Sequence, residues 1–199
     1  MSPRRLTKRN VAAVIVAITV LLATGVLEGL FDRAFGPEAW GARFENVAAG
    51  VGDVVDVDGV RASVLSVESA YRLREVSDEL VANGIFVIVR LRGEFPAAGR
   101  TNIGELAVLS ADGIPTERVA GLPPQVSTGF WEESTVAFDV DPDRLTGLRL
   151  TIAQREVTFR YRTRAVVDLA IDERRAAEFR AMPTEHVHDV AETETGALP

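Results

Sequence analysis

The chain has 199 residues, a formal net charge of -7 and no cysteine. No disulfide, thiolate nucleophile, Cys-ligated zinc or lipidated cysteine is therefore available, so the fold must hold by its core alone. Arg4, Arg5, Lys8 and Arg9 stand among the first residues with no acid beside them. The rest of the chain is thus more acidic than the overall charge, which argues against nucleic acid as a partner and against charge docking on anionic lipid.

Residues 1–10 form a basic N-terminus. Residues 11–27 carry no charge (VAAVIVAITVLLATGVL), and Gly29, Leu30 and Phe31 extend the run beyond Glu28. A helix rising ~1.5 Å per residue needs about 20 residues to cross a ~30 Å hydrocarbon core. The pattern predicts a transmembrane helix from Val11 to Phe31, with the lipid bilayer as its partner and Glu28 at the outer headgroup level. Basic residues before the span, and Glu28 and Asp32 near and after its end, set the N-terminus in the cytoplasm and the rest outside a bacterial plasma membrane. A cleaved signal peptide is the rival reading. The length of the run and the lack of a clean small-x-small site soon after it favour the uncleaved anchor.

Residues 32–50 read as a juxtamembrane linker. Trp40 and Phe44 lie within it, placed either at the membrane interface or over an edge of the domain. From 51 to 171 short strand-like runs alternate with turn signals, which predicts a mainly β fold of seven to nine strands, an immunoglobulin-like β-sandwich. Val54–Val57 and the run from Val60 flank Asp58-Gly59, a hairpin dipeptide whose residues accept φ > 0. The polar stretch 71–83 reads as a long loop or short helical turn. Ile85 to Val89 is apolar on both faces and reads as a central strand. Glu105–Leu109 and the run from Ile114 to Val119 form a second hairpin about Ser110-Ala111-Asp112-Gly113. A crossing loop with Pro123-Pro124 follows. Val136, Phe138 and Val140 alternate inward, as do Leu148, Leu150 and Ile152. The stretch 157–171 holds one long bent strand or two short ones. The tail 172–199 begins with helix-forming residues, and from Pro183 its polar, acidic composition predicts disorder.

The stretch 52–152 resembles the telokin-like, immunoglobulin-like domain of unknown function found in many secreted and membrane-anchored bacterial proteins. The matching features are Gly52-Asp53 before a strand, the Asp58-Gly59 turn, Val64-Leu65-Ser66-Val67-Glu68, Phe86-Val87-Ile88-Val89, Leu109-Ser110-Ala111-Asp112-Gly113, Val136-Ala137-Phe138-Asp139-Val140 closed by Pro142, and Leu148-Arg149-Leu150. Where such domains commonly carry Asn after the strand ending near Leu91, this chain has Arg92-Gly93-Glu94. The resemblance implies a sandwich outside the membrane, often beside an anchor, and no catalytic residues.

The residues themselves supply no catalytic constellation, cofactor site or metal site. Asp139, Asp141 and Asp143 alternate like the start of a calcium loop. The glycine and glutamate that such a loop needs at its sixth and twelfth positions are Arg144 and Leu150 here. His186 and His188, the only histidines, lie in the tail. No G-x-S-x-G, P-loop, dinucleotide or H-E-x-x-H motif occurs. Candidate partner-binding residues are Arg160, Arg162 and Arg164, alternating with Phe159, Tyr161 and Thr163, and the pair Phe130-Trp131. Arg90 and Arg92 are candidates to extend the arginine stripe. The expected function is a membrane-anchored extracytoplasmic binding or protein-interaction module of the bacterial envelope, with an envelope protein as partner. The alternatives are an envelope enzyme using paired carboxylates and a structural spacer without ligand.

Overall fold

The computed structural model describes residues 44–75, 78–96, 103, 105–125, 128–154, 162–190 and 193–199. The basic N-terminus, the 11–31 span, the linker up to residue 43 and Arg160 lie outside them. Among the described residues no helix is long and apolar enough to cross a membrane. The strands in chain order are β1 (Phe44–Gly50), β2 (Val54–Val57), β3 (Val60–Glu75), β4 (Asp78–Glu94), β5 (Glu105–Leu109), β6 (Pro115–Gly121), β7 (Phe130–Val140), β8 (Arg149–Ala153) and β9 (Arg162–Asp168). A helix α1 (Glu173–Arg180), β10 (Val187–Asp189) and β11 (Glu194–Ala197) complete them.

These strands form a β-sandwich. The first sheet runs β1-β9-β8-β5 and ends on the start of β6. The second runs β3-β4-β7 and ends on the close of β6, with β2 and β10 on the free side of β3. Strand β6 belongs to both. Its residues Pro115 to Glu117 pair with β5, and from Arg118 it pairs with β7 across a register shift between Arg118 and Ala120. Such irregularities let one strand turn a corner between sheets.

Alternation puts Ile85, Val87, Val89 and Leu91 of β4 and Val136, Phe138 and Val140 of β7 toward Leu150, Ile152, Ala165 and Val167 of the other sheet, all in one buried cluster. Burying each large side chain contributes roughly 1.5–3 kcal/mol, enough to hold a fold without staples. Phe86 and Ile88 face the other way. They join Ala70, Leu73, Ala120 and Ala137 in a second, smaller cluster against which Leu80, Ala82 and Val190 pack. A central strand buried on both faces needs the unbroken apolar run this one has.

The two ends of the sandwich are closed differently. At one end the Asp58-Gly59 turn has φ of 54 and 89, and buried Gln154 after β8 donates to the carbonyls of Val57 and Asp58 at 3.1 Å each, joining the sheets. At the other end α1 starts on Asp172, whose carboxylate accepts from Arg175 N at 2.8 Å. Ala176 and Phe179 enter the core, and Arg175 Nη2 donates to the Val67 carbonyl at 2.7 Å.

Three expectations need correction. The linker does not extend to residue 50, because Phe44–Gly50 is a strand paired in parallel with β9. Within the stretch read as a loop over 71–83, residues 71–75 and 78–83 are arms of a long hairpin, with Leu73 opposite Leu80 and Arg72 ion-paired to Glu79 at 2.7 Å. The tail after α1 is not disordered throughout: β10 adds to β3 and β11 to β7. Within 51–171 the described strands β2 to β9 match the seven to nine expected, and β1, β10 and β11 add to them from outside that range. β1, β10 and β11 pair with strands far away in sequence, and the long hairpin interrupts its apolar Leu73 and Leu80 with charged neighbours, so local pattern carries little signal.

Candidate interaction edge on the second sheet

Strand β7 is bordered by β4 along its length, while its other edge is shared. β6 pairs with Val136 to Phe138, and β11 pairs with Phe130 to Glu133. The start of β7 is therefore an edge whose cover comes from the C-terminal tail. Successive strand residues point to opposite faces, so Phe130 and Trp131 do not form one patch. Trp131 lies on the outer face with Arg92, whose guanidinium sits 4.4 Å from its ring centroid. Phe130 is 44% exposed at the strand's end.

The outer face beside Trp131 carries a ladder of alternating charge. Arg61 meets Glu94 at 2.9 Å, and Arg92 meets Glu94 at 3.1 Å and Glu133 at 3.3 Å. Arg90 meets Glu133 at 2.7 Å and Glu194 of β11 at 3.2 Å. The register of β3, β4 and β7 assembles it, placing Arg61 opposite Glu94 and Arg92 opposite Glu133. Partly solvated pairs of this kind are worth little singly, but a connected row fixes geometry. Two carboxylates of the calcium-like run have local duties. Asp139 accepts from Asn83 N, Asn83 Nδ2 and Gly84 N at 2.9, 3.0 and 2.9 Å, while Asp141 accepts from Asp143 N at 3.0 Å. His188 Nδ1 lies 3.7 Å from Glu68.

The inward face of β7 turns polar toward this edge: Glu132 and Ser134 are buried where Val136, Phe138 and Val140 follow. Burial raises the Glu132 carboxyl above its ordinary value, opposed by a hydrogen bond from the Gln125 backbone amide. A carboxyl whose pKa is raised in the folded state makes the fold gain stability as pH falls through that value, and its charge destabilises the fold at neutral pH. Glu132→Gln is therefore expected to resist urea better than the parent at about pH 7, with the advantage shrinking toward about pH 4. An advantage that does not change with pH would show that packing, and not the charge, is responsible.

The sequence-predicted arginines lie elsewhere. Arg162 opens β9 opposite Phe44, and Arg164 donates to Asn46 Oδ1 at 2.9 Å. Both belong to the first sheet, so the structure does not bring them together with Trp131; Arg90 and Arg92 join Trp131 instead. A shallow groove of about 510 Å³ lies beside β1 and β2, with Val47, Ala49, Asp53 and Val54 in its lining. Sequence reasoning missed Arg61, Glu94, Glu133 and Glu194. Their shared signal is charge alternation on separate strands, which becomes a ladder only once the register is known.

No family model matches the chain, and no curated protein matches it. Among solved structures, an uncharacterized β-sandwich protein from Clostridium difficile 630 aligns with 64% of this chain and 96% of its own at 11% sequence identity, with a TM-score of 0.40.

Proposed function

We propose that this protein is a binding or protein-interaction module of the bacterial cell envelope, and not an enzyme. Residues 11–31 anchor it in the plasma membrane with the N-terminus in the cytoplasm, and the sandwich stands outside. The observation that supports binding is the edge at the start of β7. It combines backbone groups able to pair with another strand, an aromatic stacked on Arg92, and a charge ladder ending on the partly exposed Arg90. Partner-binding surfaces draw most of their energy from such aromatic and arginine anchors. The finer architecture we propose is the telokin-like, immunoglobulin-like one, supported by the strand and turn pattern over 52–152. The basic residues before the uncharged run support the orientation.

The absence of cysteine makes a single labelled position available. Thr128→Cys places a thiol on the exposed approach to β7. A membrane-impermeant maleimide bearing a photo-crosslinker, added to spheroplasts, is expected to label this variant and, after illumination, to capture a reproducible envelope protein. Adding Trp131→Ala is expected to abolish the capture. No labelling would refute the placement outside the membrane, and capture indifferent to Trp131 would refute the edge as the binding surface.

A further inference from the structure

We infer that the β7 edge at Phe130–Glu133 is a strand-acceptor site for an extended acidic segment of a partner protein, and that β11 is its occupant in cis. The inference rests on the binding reading above and names the chemistry of the partner. The way β11 sits shows what the edge accepts. Its register sets Ala197 opposite Phe130, Gly196 opposite Trp131, Thr195 opposite Glu132 and Glu194 opposite Glu133. Small residues thus face the two aromatics. A Cβ built on Gly196 would lie 2.6 Å from Trp131 ring atoms, so the ring lies over that glycine and a larger residue there does not fit without displacing it. Leu198 N adds a hydrogen bond to the Gly129 carbonyl at 2.8 Å.

The charge requirement follows from the ladder. Without the tail it reads Arg61, Glu94, Arg92, Glu133, Arg90 and ends on a guanidinium with carboxylate on one side only. Glu194 supplies the closing carboxylate. The acceptor therefore calls for an extended segment with an acid followed two positions later by glycine. Backbone pairing supplies affinity and the alternate side chains supply selection, as in strand addition generally.

The cis occupant is held lightly. It is a short strand, most of its residues exposed, in none of the buried clusters. Glu194 also stands directly opposite Glu133, a like-charge pair bridged by the shared Arg90. Segments with few buried contacts open at small cost, so a partner segment bearing the same acid and glycine can replace the tail.

The test uses the full chain in detergent and a fluorescein-labelled peptide copying residues 193–199, with a scrambled peptide as control. Gly196→Trp evicts β11 by collision with Trp131, and Glu194→Arg evicts it by charge against Arg90. A tethered tail competes at an effective concentration on the order of mM, so each evicted chain is expected to bind the peptide at least about tenfold more tightly than the parent. Adding Arg90→Ala to either is expected to remove the gain. Evicted chains that fold as the parent does, by circular dichroism and melting, yet bind the peptide no better than the scrambled one would overturn the inference. Light scattering that shows the parent exchanging tails into dimers would overturn it in favour of a second copy as occupant. Failure of peptide binding alongside Trp131-dependent photo-capture would remove the strand-acceptor inference and leave the binding reading standing.

Discussion

Replacing Phe138 with alanine is expected to cost ~3–5 kcal/mol of stability. Phe138 is fully buried at the middle of β7, in the cluster shared by both sheets, opposite Val87 of β4 and Arg118 of β6. It sits where β6 has just crossed to the second sheet, so its neighbours come from strands already fixed by backbone pairing. They cannot close over the void, and the full cavity penalty remains. Phe130 on the same strand supplies the contrast. At 44% exposure it loses far less on truncation, and Phe130→Ala is expected to cost under ~1 kcal/mol. For a domain of this size ~1 kcal/mol moves Tm by about 2–4 °C, so the first variant melts about 6–20 °C below the parent and the second within a few degrees of it. Comparable losses in urea titrations of the two would mean that the core is not centred on β7.

The contrast between these phenylalanines marks how much the sequence carried. Val136, Phe138 and Val140 announce an inward face by alternation alone, and the structure buries all three. Asp58-Gly59 announces a hairpin because two successive residues must take positive φ, and they do. Burial of Ile85 to Val89 on both faces follows from an apolar run with no polar face to expose. These signals are local: each depends on residues within one strand or one turn.

What stayed hidden depends on register between distant strands. Ala48 and Ala49 of β1 give no strand signal, and their pairing with Val166 and Val167 crosses most of the chain. Glu194 reads as one more tail acid until β11 sets it beside Arg90. Phe130 and Trp131 read as a pair because they are adjacent in sequence, whereas a strand turns adjacent side chains to opposite faces. The arginine stripe suffers the reverse error. Arg164 and Arg92 look equivalent as alternating cations, yet one belongs to each sheet, and it is Arg92 that lies over the Trp131 ring.

Gly121 is where the fold depends most on a missing side chain. It ends β6 just after the strand has passed from one sheet to the other, at φ 74. A Cβ there would lie 1.9 Å from the Thr135 carbonyl oxygen and 3.0 Å from Val136 Cα. Both are backbone atoms of the strand with which it pairs, so no rotamer change relieves the contact. The left-handed backbone alone costs an alanine roughly 1–2 kcal/mol. The collision forces β6 away from β7, breaking the pairing and the Gly121 N to Glu75 hydrogen bond at 3.1 Å, so Gly121→Ala is expected to lose ~4 kcal/mol or more. Gly59 and Gly113 separate the two causes, since they have φ of 89 and 81 but nothing within 4 Å of an added Cβ. Gly59→Ala and Gly113→Ala are each expected to cost only the ~1–2 kcal/mol of backbone strain. Equal losses at all three positions in urea unfolding would show that positive φ alone sets the cost. A much larger loss at Gly121 would show that the close approach of β6 and β7 holds the two sheets in their mutual register.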